Sequence, residues 1–157
     1  MITQAHVATM ARYNRWQNRS LYGCADRLPD DERKRDRGAF WKSIHGTLCH
    51  NLYGDLAWLA RFAGTPVPKL ASFADSATFI ADWSELKSER VRFDEVLIDW
   101  ADRLDSAWLD GDLTWYSGVV GRELTKPKWL LVTHLFNHET HHRGQVHAML
   151  TAAGQKP

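Results

Sequence analysis

Four of the chain's eight histidines, His134, His138, His141 and His142, fall within nine residues, and His147 follows shortly after. On a helical wheel at 100° per residue, His138 and His142 point the same way as the apolar centre defined by Leu131, Leu135 and Met149. His134 and His141 lie toward one edge. Helical residues four apart hold their Cβ atoms about 5–6 Å from each other, so two imidazoles at that spacing can converge on one ion. Neutral imidazole is a good ligand for zinc, nickel, copper or iron. The plainer reading of a core-facing histidine is a hydrogen-bonded core residue. Two of them in a small core would each need separate partners without a metal, so the spacing points to a divalent ion.

Two ligands are too few, and metal sites in helical bundles collect side chains from facing helices. The candidates are His45, Cys49 and His50 on a predicted second helix and Cys24 on the first. His45 and Cys49 sit on that second helix's main apolar face. His50 sits on a flank of small residues, Gly46, Gly54 and Ala57, where an ion would have room. Periodicity leaves the choice open. The run His138-Glu139-Thr140-His141-His142 also spells H-E-x-x-H, the pattern of zinc peptidases with glutamate as base. No H-x-x-G-x-x-H continuation follows, and no acidic residue lies beyond Glu139, which disfavours that reading.

Four helices must position these residues. The first runs from Thr3 to about Leu28, with Val7, Met10, Leu21, Cys24 and Leu28 on one stripe. Asn14 and Gln17 interrupt the stripe, either as bonded polar groups inside the bundle or as lining of a pocket. Residues 29–38 read as a linker whose four acids and four bases cancel. The second helix spans about Ala39 to Ala63, on Trp41, Leu48, Leu52, Leu56 and Leu59, and Gly64-Thr65-Pro66 ends it. After a loop over 66–72, the third starts near Ser76 as N-cap and continues to about Leu104. Phe79, Trp83, Leu86, Phe93, Leu97, Trp100 and Leu104 make a bundle seam. Arg90 occupies one seam position, to snorkel, to pair with an acid, or to clamp an anion. Leu113–Tyr116 and Arg122–Thr125 flank a glycine-bearing turn and predict a hairpin. The fourth helix has Pro127 in its first turn and Gly154 at its end.

A chain of 157 residues fits one domain over 1–157 with its own core. Charged residues are 25% of the chain and the formal charge is +1, so neither nucleic acid nor an acidic membrane is an expected partner. Two cysteines are too few for a disulfide framework. The first residues do not read as a signal peptide, and no apolar run approaches the roughly 20 residues of a membrane span. A cytoplasmic protein is expected. Eight tryptophans leave apolar surface that suits a homodimer.

The segment from Leu135 to Gln145, LFNHETHHRGQ, resembles the signature of the DinB family, the DinB/YfiT-like metalloproteins. Tyr13–Asn18 resembles the family's first-helix motif. Gly46–His50, leading into Asp55, Trp58, Leu59, Ala60, Arg61 and Phe62, resembles its second helix. The resemblance implies an all-α four-helix bundle with up-down-down-up connectivity, a short hairpin before the last helix, and often a dimer. It implies a metal held by one histidine of the second helix and two of the fourth, here His50, His138 and His142, with positions left open for water or substrate. Some relatives use low-molecular-weight thiols such as bacillithiol, mycothiol or glutathione. The expected function is therefore a zinc- or nickel-dependent, thiol-using transferase acting on an electrophile, with no general base assigned. A non-catalytic metal binder, a dimeric interaction module and, remotely, a peptidase are the alternatives. Glu139, Arg143 and Asn137 are expected to support the ligands or pack the helix; Asn14, Gln17 and Arg90 are candidate ligand contacts.

Overall fold

The computed structural model describes residues 2–118 and 120–157. They form five α-helices and one hairpin: α1 (Gln4–Ala25), α2 (Asp30–Lys34), α3 (Ile44–Ala63), α4 (Trp83–Arg103), β1 (Asp112–Ser117), β2 (Arg122–Pro127) and α5 (Lys128–Ala152). The four long helices make the bundle. Gln4 at the start of α1 donates to the carbonyl of Ala101 near the end of α4 (2.8 Å), while Asp26 at the other end accepts from the Trp83 indole (2.7 Å), so α1 and α4 are antiparallel. The contacts Asn14–Arg143 and Arg27–Gln155 set α5 parallel to α1. His50 meets His138 and His142 while Trp58 meets His134, which runs α3 against α5. His45–Trp83 and Phe62–Trp100 run α3 with α4. The order along the chain is up-down-down-up, as the resemblance implied.

Leu48, Leu52 and Leu59 of α3, Leu86, Phe93 and Leu97 of α4, and Leu135 and Leu150 of α5 form the centre of the core. The seam read from the 4-3 spacing of the third predicted helix is thus the buried one. No helix among the described residues is long and apolar enough to cross a membrane.

Several boundaries differ from the sequence expectation, each for a local reason. Residues 29–38 contain the short helix α2, with acids in its first turn and bases in its last, matched to the helix dipole. The second bundle helix begins at Ile44 and not at Ala39. Ala39 and Lys42 form an isolated bridge, Lys42 sits at φ 67°, and Ser43 caps the helix by accepting from the Gly46 N–H at 2.9 Å. Trp41 is consequently outside the helix. The third bundle helix begins at Trp83, because Asp82 caps it by accepting from the Glu85 N–H at 2.8 Å. Ser76 is no cap. It lies in a single 3-10 turn, Phe73–Ala77, opened by a reciprocal capping box between Ser72 and Asp75. Pro127 precedes α5 instead of entering it, and Gly154 at φ 77° follows its end. The hairpin forms where predicted, each strand two residues longer, with Asp112 opposite Pro127 and Ser117 opposite Arg122.

Candidate metal centre

Three rings meet between α3 and α5. The Nε2 atom of His138 lies 3.3 Å from Nε2 of His50 and 3.1 Å from Nε2 of His142. Ligand atoms of His50, His138 and His142 all fall within 4.8 Å of one another, a group that could hold a metal ion. The two α5 rings are one turn apart, as their i,i+4 spacing requires. His50 is fixed from three sides: Trp41 stacks on it with centroids 3.9 Å apart, Phe73 meets it edge-on, and Ser76 bonds its Nδ1 at 2.8 Å. Gly54 is what lets His138 approach α3, since a Cβ there would stand 2.7 Å from the ring's Cε1.

Hydrogen bonding assigns two of the three tautomers. The Ser76 hydroxyl donates to the carbonyl of Phe73 (2.7 Å), so toward His50 it can only accept. His50 therefore carries its proton on Nδ1 and turns a bare Nε2 lone pair toward the other rings. His142 likewise directs Nδ1–H at the Gln145 side-chain oxygen (2.8 Å), leaving its Nε2 bare. At most one proton, on His138, can sit among three nitrogens that face one another. Burial and the neighbouring His142 and His138 push His50 down to about 3, and burial with His142 pushes His138 down to about 4. Burial also lowers His142. Each ring disfavours the protonated form and is thereby in the state a metal needs. For a tetrahedral ion with bonds of about 2.0–2.1 Å the nitrogens would stand roughly 3.3 Å apart, close to the spacing present. His138 Nδ1 is also buried with no partner.

The other ligand candidates lie elsewhere. His45 Nε2 and the Cys49 thiol both bond the carbonyl of Ile80, at 2.8 and 3.2 Å, and burial pushes Cys49 up to about 12, far from a thiolate. Cys24 receives a bond from Arg27 at the end of α1. His134 and His141 occupy the edges of α5 and are exposed.

Next to His138 and His142 on α5, Glu139 and Arg143 face the opposite way, into a buried polar network. Glu139 accepts from Arg90 (3.2 Å), Arg143 (2.8 Å) and Asn51 (2.7 Å). Arg90 also pairs with Asp55 (2.6 Å) and Asp94 (2.9 Å), Asn18 donates to Asp94, and Arg143 bonds Asn14. Three acids and two arginines would leave one negative charge in the core. Burial, then the charge of Glu139, raises Asp55 well above the usual carboxyl range. Burial would raise Glu139 too, but the bond from Asp55 and the charges of Arg90 and Arg143 hold it at about 2. Burial and the charge of Glu139 thus favour the protonated Asp55 carboxyl, which would offset the excess negative charge of the network. Of the three uses foreseen for Arg90, pairing with acids is the one realised. Asn14 is bonded within the bundle. Gln17 edges a separate hollow of about 200 Å³ with Arg143, and Arg90 edges another of about 170 Å³. None of the three lines the histidine cavity. Asn137 is exposed.

That cavity, about 590 Å³, is lined by His50 and His138, by Tyr53, Gly54, Ala57, Trp58 and Arg61 of α3, by the 70–73 loop, and by Trp115 and Ser117 of β1 with His134. It is in the range of a small-molecule site. The sequence carries no signal for the roles of Ser76, Trp41 and Gln145; of the cavity wall, Gly54 and Ala57 show as a small-residue flank and Trp58 and Arg61 in the likeness of the second helix to its family.

Fold and site together define a four-helix-bundle protein with a histidine group able to hold a metal ion, opening on a cavity. The chain belongs to the DinB family, whose pattern it matches across residues 1–157. It is 27% identical over 145 residues to Protein DinB of Bacillus subtilis (strain 168), spanning 90% of this chain and 83% of that protein. The solved structure of a DinB-like protein from Bacillus cereus ATCC 10987 superposes with a TM-score of 0.66 at 14% identity, over 90% of this chain and 88% of that one. That likeness shows the fold.

Proposed function

We propose that His50, His138 and His142 hold one divalent ion, zinc or nickel, and that the chain is a thiol-using transferase acting on electrophiles in the adjoining cavity. One observation carries this reading: three Nε2 atoms, two of them with lone pairs set by hydrogen bonds at Nδ1, converge on the wall of a cavity large enough for substrate. A bound ion would lower the pKa of a thiol or water and so supply a nucleophile near neutral pH. The protein's part is to hold the rings. Ser76 and Gln145 orient two of them, Trp41 and Phe73 shield His50, and Gly54 admits His138. Among the described lining residues there is no carboxylate to serve as a base. Glu139 is bound to two arginines and an asparagine, which removes the peptidase reading's catalytic group.

A cytoplasmic site of action fits two free, buried cysteines. A homodimer is part of the same proposal. Tyr13 and Trp16, 44% and 61% exposed, form a solvent-facing aromatic pair on α1 that a second copy would cover, and sedimentation of Trp16→Glu beside wild type checks it.

The first test is metal content of protein purified without a metal-affinity tag, with His50→Ala and His138→Ala in parallel. One zinc or nickel per chain, lost in both variants, supports the triad. Metal retained in His50→Ala overturns it. Electrophile-dependent thiol consumption by the loaded protein then separates a transferase from a non-catalytic metal binder.

A further inference from the structure

The cavity beside the histidines has one charged side chain in its described lining, Arg61. Among the described residues no carboxylate lies within ion-pair distance of it, although most arginines of the chain have one. One Nη1 hydrogen goes to the carbonyl of Ala57 at 3.1 Å, and the guanidinium lies over the Trp58 ring, 4.7 Å from its centroid. Trp58 is itself held edge-on by Trp115 and His134. The guanidinium plane is thus fixed on an aromatic platform with Nε and Nη2 unbonded. Arginine stays charged in any such setting, and burial makes that uncompensated charge costly, as the lowering of its pKa by burial reflects.

Arg61 follows His50 by eleven residues on the same face of α3, roughly 16 Å along the axis at 1.5 Å per residue. Between them the floor is small, Gly54 and Ala57, and the walls are aromatic, Trp58, Trp115 and Phe73.

We propose that Arg61 anchors the carboxylate of a substrate whose apolar or aromatic body lies along α3 and whose reactive end reaches the three histidines. A single guanidinium in an otherwise uncharged lining matches a monoanion, and its planar fork matches a carboxylate. The inference rests on the reading of this cavity as a substrate site, and it adds the substrate's charge and orientation.

The test uses calorimetric titration with 2-naphthylacetate and its neutral counterpart 2-naphthylacetamide, on metal-loaded and on metal-stripped protein. Wild type is expected to bind the acid about tenfold more tightly than the amide, and Arg61→Gln to bring the two within about twofold while leaving the amide's affinity unchanged. Arg61→Lys should keep part of the preference. Arg61→Met, which retains the stem packed on Trp58, stands in if the glutamine variant does not fold. A preference that persists in Arg61→Gln overturns the proposal, as does one that vanishes when metal is stripped, or no binding of either compound. Protein that takes up no metal yet shows an Arg61-dependent preference refutes the metal reading and leaves this one standing.

Discussion

Two residue pairs on α5, offset by a single position, have opposite fates. Glu139 and Arg143 turn into the bundle, where α1, α3 and α4 supply partners and three acids meet two arginines. His138 and His142 turn toward α3, where their Nε2 atoms meet only histidine nitrogens at the edge of a cavity. One site sets acids against arginines from within the bundle; the other sets histidine against histidine. Buried polar groups that are paired fix a structure, while the three histidine nitrogens form a group that could hold a metal ion. The difference makes the first pair part of the fold's support and leaves the second in a group that could hold a metal ion.

The contrast can be broken most forcefully at Arg90. Arg90→Met strips the cation from between Asp55, Asp94 and Glu139, and loss of one partner from such a buried cluster costs about 3–5 kcal/mol. His138→Ala, in the same metal-free protein, should change stability by no more than about 1 kcal/mol. Urea denaturation of both variants after chelation measures this. Equal losses would mean that the histidine group is as structural as the ion network.

Acid separates the two sites by pH window. In the unfolded chain a histidine takes up its proton near pH 6.5, but folding holds His50 at about 3 and His138 at about 4. Below pH 6.5 the unfolded state binds more protons, so metal-free protein loses stability as pH falls from there toward 4. Glu139, held at about 2, is ionised throughout that window and starts to lose its contribution only below its unfolded value near 4.5. The slope between pH 6.5 and 5 should therefore flatten in His50→Ala, and denaturation midpoints at stepped pH would show it. A slope unchanged by removing His50 would place the acid sensitivity elsewhere.

Why was one half of the centre readable from the chain and the other not? His138 and His142 announce themselves because i,i+4 spacing on one helix is a local property. The third ring required a choice among His45, Cys49 and His50, and a wheel decides by finding a solvent face to reject. Every residue from Ile44 to Leu52 is buried, because Trp41, α2 and the 3-10 turn cover the side that would otherwise be wet. Family resemblance supplied what periodicity lacked there. The bundle seam Leu86, Phe93 and Leu97 was legible for the same reason as the histidine pair. The network around Arg90 was not, since its members come from four helices. Ser76 was read as a cap because serine before an apolar run usually is one. Its buried hydroxyl lies beside His50 because Ser72 and Asp75 open a separate 3-10 turn there, while Asp82 caps the helix that starts at Trp83.

Ser76 also gives the smallest and sharpest test. Its hydroxyl fixes the His50 proton on Nδ1, because its own hydrogen is committed to the Phe73 carbonyl. Ser76→Ala leaves that N–H buried without an acceptor and frees the ring to move its proton to Nε2, the atom a metal would need. Removing such an outer partner of a ligating histidine typically costs 10–100-fold in metal affinity, with little effect on the ion network across α5. Zinc titration against a competing chromophoric chelator, beside urea denaturation of the metal-free variant, reads both. Weaker zinc binding with near-normal stability would tie the histidine group to its ligand and not to the fold. Unchanged affinity would show that stacking on Trp41 orients His50 without the hydroxyl, and would narrow the difference between the open and closed sides of the helix.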